Sequence, residues 1–457
     1  MQLKGAICAA ALVVVAAGCN NFLKGGDLTK DPNNPLNATP KQLFSSVQSN
    51  LWIQQTSDLA RLTSMWMQQV VGVARQAYGT YTFTGVTESS FDAEFARAYQ
   101  GGGILDLRKI DSTTQVLGDS IFLGISKVTE AWLISVNADI WGDIPYSQAD
   151  SFFVYPQPVL DPQQTVYDMV ETRLSEAIAE LQSGIGSGPK GADLVYGGDP
   201  DKWIELAHTL KARVWLHQAE KLGTPAYASA LVEAAQGISS NDGDYVANFS
   251  GSQAGESNPW WQFLDANGTT GRNGDIVATN SFLYDLMSST NDPRFPDYFQ
   301  PGSVDTYDFS PFRENPTYPQ PFVTYNENLL IQAEAQLQTG ATGAALTSLN
   351  TERAAWALLL APTKAWHRAY TLAPAGSATL SAIMTEKYIV LFQNIESWND
   401  YKRTCIPALT PVAGGVNGVI PGRLLYPVGE RQTNTNIPAV SAQPPRNWND
   451  PNACSDS

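Results

Sequence analysis

The run SKVTEAWLISVNADIW (126–141) is apolar at helical spacing and ends in Gly142, Asp143, Ile144, Pro145 and Tyr146. Gly142 permits a left-handed backbone at a helix end, and Pro145 fixes the exit because its ring blocks a further turn. Asp139 and Asp143 are one turn apart and share a face only if the helix continues through Gly142. The pair is therefore expected to be structural, not catalytic, with Asp143 capping loop amides.

The same period recurs along the chain. Residues 41–72 carry Leu43, Val47, Leu51, Leu62, Met65, Trp66 and Val70, and residues 166–182 carry Val166, Val170, Leu174, Ile178 and Leu181. In 198–223, Asp199 is placed to cap, Pro200 suits a first turn, and Gly223 suits the C-terminal cap. Its histidines, His208 and His217, are expected to pack or face solvent and not to bind metal. Residues 326–356 spell helix, Gly-rich turn, helix, the hairpin unit of tetratricopeptide-like repeats. Residues 380–403 are expected to form the longest helix. Segments 73–118, 237–325 and 404–457 lack a period and are expected to be irregular. The pattern predicts a mainly α fold: a single helical body with tetratricopeptide-like helix hairpins and long irregular loops.

The start of the chain is expected to lie outside that body. Lys4 precedes a short apolar run, and the small residues Ala16, Ala17 and Gly18 stand directly before Cys19. Residues 1–18 are similar to a lipoprotein signal peptide, with Cys19 as the lipid attachment; an ordinary secretory signal is the alternative. Ala16 stands where such signals usually have Leu. Asn20 is not the aspartate that holds many lipoproteins at the inner membrane, so the outer membrane is the expected address. Removing 1–18 leaves 439 of 457 residues and takes Lys4 away, moving the formal charge from −16 to −17. Residues 19–40 are polar and rich in Gly, Pro and Asn, which suits a tether, and 41–457 form the folded domain.

An acidic body argues against nucleic acid as a partner. There is no CxxC and no HExxH, so neither a zinc site nor a cofactor is expected. Cys405 and Cys454 remain as either a disulfide or two unrelated thiols. GIGSGPKG (184–191) lacks the phosphate-loop frame, and no G-x-S-x-G elbow is present. DANGTTGRNGD (265–275) spaces oxygen ligands as calcium loops do, but lacks the glutamate at the twelfth place. No catalytic residue is assigned.

Six motifs in order then resemble one family: ADIWGDIPYSQA, WIELAHTLKARVWLH, NDPRFPDYF, ENLLIQAEAQLQTG, EKYIVLFQNIESWNDYKRT and IPGRLLYPVGERQTN. Together, behind a lipoprotein signal, they resemble the SusD/RagB family of nutrient-binding outer-membrane lipoproteins across nearly the whole mature chain. The resemblance implies a lid on a SusC-like TonB-dependent transporter that captures glycans or peptides, lipid-anchored and surface-exposed, without catalysis. A secreted helical glycoside hydrolase or lyase is the alternative.

Sugar rings present flat C–H faces, which suit exposed aromatics beside polar side chains. RQAYGTYTFTG (75–85) offers Tyr78 and Tyr81 beside Arg75, and ESNPWWQF (256–263) offers Trp260 and Trp261 beside Asn258. These are the candidate ligand-binding residues, with the 75–85 segment favoured.

Overall fold

The helical windows fold as helices, and some of their ends follow caps written in the sequence. A computed structural model describes residues 38–264, 271–272, 274–300, 309–310, 312–358, 370–412, 418–450 and 454. Residues 1–37, including Cys19, and most of 265–275 lie outside that set. The main helices are α1 (Pro40–Thr56), α2 (Asp58–Trp66), α3 (Arg75–Tyr81), α4 (Ile104–Leu117), α5 (Ser120–Trp141), α6 (Gln163–Gln182), α7 (Pro200–His217), α8 (Thr224–Ala234), α9 (Tyr325–Gln338), α10 (Thr342–Ala355), α11 (Leu380–Val390) and α12 (Glu396–Thr404). Thr39 and Gln42 close a capping box on α1, with Thr39 N donating to Gln42 Oε1 at 2.9 Å. Asp199 caps α7 through the amides of Asp201 and Lys202.

Several expectations are corrected. The helix in 198–223 ends at His217, and Gly223 instead closes the short helix Ala219–Leu222. The 237–325 stretch holds the helices Pro259–Leu264 and Phe282–Ser289. The 41–72 window breaks into α1 and α2 at Ser57. The 73–118 stretch is not irregular, since it holds α3, a short helix Asp92–Arg97 and α4. The 380–403 window is not the longest helix; it breaks between α11 and α12, and α5, with 22 residues, is longer. At that break Gln393 is left-handed, with φ +64°. Its amide donates to Gln69 Oε1 (3.3 Å), its own Oε1 accepts from Arg313 Nη1 (2.9 Å), and Asn394 Nδ2 donates to Phe322 O (3.1 Å). Bonds from three distant segments outweigh the local helical period.

Helix α5 is the axis of the core. Every residue in it except Ser120 and Lys127 is buried. A helix that is apolar all round belongs inside. Full burial of residues such as Leu133 and Ile134 contributes on the order of 1.5–3 kcal/mol each. Helix α5 packs on α6, α6 on α7, α7 on α8, α8 on α9, and α9 on both α10 and α11. The hairpin seen in the sequence at 326–356 is thus one member of a stack of packed helices.

The corner after α5 is structural, as the sequence predicted. Gly142 has φ +83°, and a Cβ there would sit 2.6 Å from Asn447 Oδ1. Asp143 Oδ1 accepts from the amide of Gln163 at 2.8 Å, so it caps the first residue of α6. Ile144 and Asp161 exchange backbone bonds at 3.1 and 2.9 Å. The C-terminal segment folds back over this corner: Arg423 Nη2 donates to Trp141 O (2.7 Å) and Asn447 Nδ2 to Asp139 O (2.7 Å). Cys405 and Cys454 are joined as a disulfide, which closes that segment. Beyond the corner, Phe152, Phe153 and Val154 stand in solvent, Phe153 fully.

Two small antiparallel sheets complete the fold. Strand β1 (Val71–Gly72) pairs with β3 (Ile276–Val277), Val71 opposite Val277 and Gly72 opposite Ile276. Strand β2 (Tyr245–Ala247) pairs with β4 (Gln320–Val323), with Tyr245 opposite Val323 and an irregularity after it.

Candidate functional site

A two-lobed cleft lies where α1, α2 and α3 meet the short helix Pro259–Leu264. The smaller lobe, about 390 Å³, is lined by Asp58, Arg61, Gln76, Thr80, Phe91, Gln262, Phe263 and Arg272, among others. The larger, about 860 Å³, is lined by Trp52, Ile53, Phe249, Asn248, Glu256 and Pro259, among others. The lobes share Arg61, Gln262 and Phe263. Both volumes fall within the range of small-molecule sites, roughly 300–1,000 Å³.

Phe263 organises the shared wall. The Arg61 guanidinium carbon is 4.2 Å from its ring centroid and that of Arg272 is 5.3 Å away. Arg61 is nearly buried and ion-paired with the half-exposed Asp58. Burial pulls the Arg61 guanidinium below its ordinary value, and the Asp58 carboxylate opposes the pull. In the larger lobe Trp52 and Phe249 meet edge to face at 5.9 Å. The carboxylates on the walls are engaged: Asp58 with Arg61, and Glu256 with the Ser250 hydroxyl.

The far wall is held by a narrow seam. Beyond the β1–β3 pair, Val73 N donates to Asp275 O (2.8 Å) and Arg75 Nε to Asp275 Oδ1 (2.6 Å). Helix α3 rests on bare backbone at Gly72, where a Cβ would lie 2.1 Å from Ala77 O.

The structure brings the two favoured segments, 75–85 and 256–263, to one cleft, but through other side chains. Segment 75–85 is not a loop; its first seven residues are α3. Gln76, Ala77 and Thr80 line the cleft. Successive residues turn by about 100°, which puts Tyr78 and Arg75 on roughly the opposite side of the helix and Tyr81 on its flank. Tyr78 is 56 % exposed, Tyr81 packs half-buried against the core, and Arg75 serves the seam. Trp260 does not fit an exposed platform: it is 2 % exposed and packs against Phe309 at 6.2 Å. Asn258 is buried too, donating Nδ2 to Tyr318 O (3.0 Å) and accepting from Trp260 N (2.8 Å). Trp260 and Leu264 are four residues apart on the buried face of their helix, while Trp261 and Phe263 are only partly covered. Sequence reasoning missed Phe263, Arg61, Arg272, Trp52 and Phe249. Arg61 carried a readable signal, a guanidinium inside the apolar window 59–66.

One further cluster has metal-ligand chemistry. Donor atoms of Asp139, His217 and Glu396 all lie within 4.8 Å of one another, fully buried. Nδ1 of His217 is 2.9 Å from Asp139 Oδ1, and its Nε2 is 2.8 Å from Glu396 Oε2. Burial alone would lower His217, yet the two carboxylates raise it to about 9. Two carboxylates on opposite edges of the ring thus favour the imidazolium form. Arg213 Nη1, 3.6 Å from Glu396, and the buried Lys402 ammonium, 2.6 Å from Asp139 O, add positive charge. The cluster is a salt-bridged knot joining α5, α7 and α12.

Residues 32–427 match the model of a SusD-like family described as starch-binding and associating with the outer membrane. The chain belongs to that SusD-like family. Among solved structures, a SusD/RagB family protein from Bacteroides thetaiotaomicron is 20 % identical over 91 % of this chain and 99 % of its own, with a TM-score of 0.74. A chitin-binding protein is 22 % identical over 91 % and 100 %, with a TM-score of 0.72. A chitin-binding SusD homologue from Flavobacterium johnsoniae is 18 % identical over 91 % and 99 %, with a TM-score of 0.71. These likenesses show that the SusD-like helical fold is shared. Among curated proteins, none matches.

Proposed function

We propose that this SusD-like chain is a non-enzymatic, lipid-anchored outer-membrane protein that binds oligosaccharide in the two-lobed cleft and passes it to a TonB-dependent transporter. The observation that carries this reading is the cleft itself. It joins an aromatic lobe at Trp52 and Phe249 to a polar lobe at Gln76, Thr80 and Gln262. Two of the structural relatives are named as chitin-binding. The exposed run Phe152, Phe153 and Val154 is the surface we put against the transporter, since contiguous apolar patches mark contact sites.

Calorimetry of the mature protein against a panel of oligosaccharides tests the binding step. Phe249→Ala is expected to weaken the bound sugar by about 1–3 kcal/mol, the range measured for a comparable flat aromatic contact. Steady release of shortened or unsaturated sugars would replace this reading with a hydrolase or lyase. Pull-down in gentle detergent is expected to recover a large outer-membrane protein, and less of it with Phe152→Ser/Phe153→Ser.

A further inference from the structure

The smaller lobe has an unusual charge for this chain. The protein carries 44 acidic against 28 basic residues. Yet among the described residues the charged groups lining this lobe are two arginines and one aspartate: Arg61, Arg272 and Asp58. Asp58 is committed to Arg61. The nearby carboxylates are committed too, Glu94 to Arg97 and Asp275 to Arg75. Arg272 is exposed, its guanidinium lies over Phe263, and among the described residues no carboxylate pairs with it. In so acidic a protein an exposed cation that no described carboxylate pairs, facing a cavity beside a second guanidinium, is placed for an anion from outside.

Geometry narrows the anion. A guanidinium is a planar fork of donors that meets a carboxylate or sulfate with two parallel bonds. Stacking on Phe263 limits its rotation, so less freedom is lost on binding. Gln76, Gln262 and Thr80 on the same walls supply donors and acceptors suited to hydroxyls. The neighbouring lobe, sharing Phe263, has room for further rings.

Resting on the reading of this cleft as a saccharide site, we infer that the smaller lobe takes an anionic sugar unit, a uronic acid carboxylate or a sulfate ester, within an acidic oligosaccharide. The test is calorimetry on the intact mature protein with tetragalacturonate, a sulfated carrageenan tetrasaccharide, chitotetraose, maltotetraose and an acidic tetrapeptide. At least one anionic sugar is expected to bind about tenfold or more tighter than the neutral sugars. Salt at about 0.5 M should erode that preference, because it screens exposed charge. Arg272→Gln, at an exposed position, should cost about tenfold for the anionic sugar and much less for the neutral ones, so that the preference collapses, with the melting curve unaltered. Which anionic sugar responds separates carboxylate from sulfate. Equal binding of neutral and anionic sugars, or an Arg272→Gln protein that keeps the full preference, overturns the inference but leaves the saccharide reading standing. Binding of the acidic peptide with no sugar bound overturns both.

Discussion

His217→Gln is expected to remove a pH dependence as well as stability. In the folded chain His217 sits between Asp139 and Glu396, and its value rises from 6.5 to about 9. Burial acts the other way, so the rise measures how strongly the two carboxylates hold the imidazolium. A group with a raised folded value stabilises fully below its unfolded value and loses that stabilisation as pH climbs through the folded one. For His217 the window is therefore about pH 6.5 to 9. A shift of about 2.5 units at 1.36 kcal/mol each corresponds to roughly 3 kcal/mol lost across it. Removing the imidazole also leaves Asp139 and Glu396 facing each other in the core, and breaking a buried charge pair costs about 3–5 kcal/mol. Other groups titrate nearby. Burial, and then Glu386, raises Glu352 to about 8, and burial raises Asp111 to about 6 against the pull of Arg173. Both also lose stabilisation as pH rises, so the wild-type slope is a sum and only its difference from the variant reports His217. Urea unfolding followed by tryptophan fluorescence at about pH 6 and about pH 9 provides that difference. The variant should be less stable at the lower pH by about 3 kcal/mol or more, and the gap should narrow at the higher. Parallel pH profiles for the two proteins would show that folding does not raise the His217 value and refute the reasoning.

Further outcomes follow from other features. Cys454→Ser opens the Cys405–Cys454 bridge, whose ends are 49 residues apart, and loop-closure entropy puts the loss near 4 kcal/mol. Melting with and without reductant checks this, since the wild type should shift and the variant should not. Trp260→Ala empties a core position and should cost about 3–5 kcal/mol in denaturant unfolding, whereas Tyr78→Ala should leave stability and sugar affinity unchanged. Cys19→Ala should abolish labelling by a fatty-acid analogue and release the protein from the membrane fraction.

Some helix ends were legible because they use a local device. Asp199 and Gly142 act within a few residues of themselves, and the sequence shows all of that neighbourhood. The breaks at Ser57 and Gln393 were not legible. The second depends on Gln69, Arg313 and Phe322, which no window around 380–403 contains. The site divides the same way. Segments 75–85 and 256–263 stand out by composition, and both reach the cleft. Which side chain points inward depends on helical phase in two elements of seven and six residues. Trp260 and Trp261 look alike in sequence, and one step of rotation buries the first. Arg272 meets Phe263 through its amide, which donates to Phe263 O at 2.9 Å, and through its guanidinium over the ring, contacts no spacing reveals.

The seam behind the cleft joins residues 71–75 to 275–277 across some two hundred positions of chain, and Gly72 is its tightest point. That makes the residue at 72 a spacer. With hydrogen there, α3 closes on the strand and fixes the distance from Gln76 and Thr80 to Arg61. Any larger side chain meets the Ala77 carbonyl, so α3 and the strand have to part, and both Ala77 and Ile276 on the lobe wall move with them. The shape of the lobe is thus tied to a position outside its lining, so a single change at 72 is expected to alter what the lobe admits without replacing any residue that lines it.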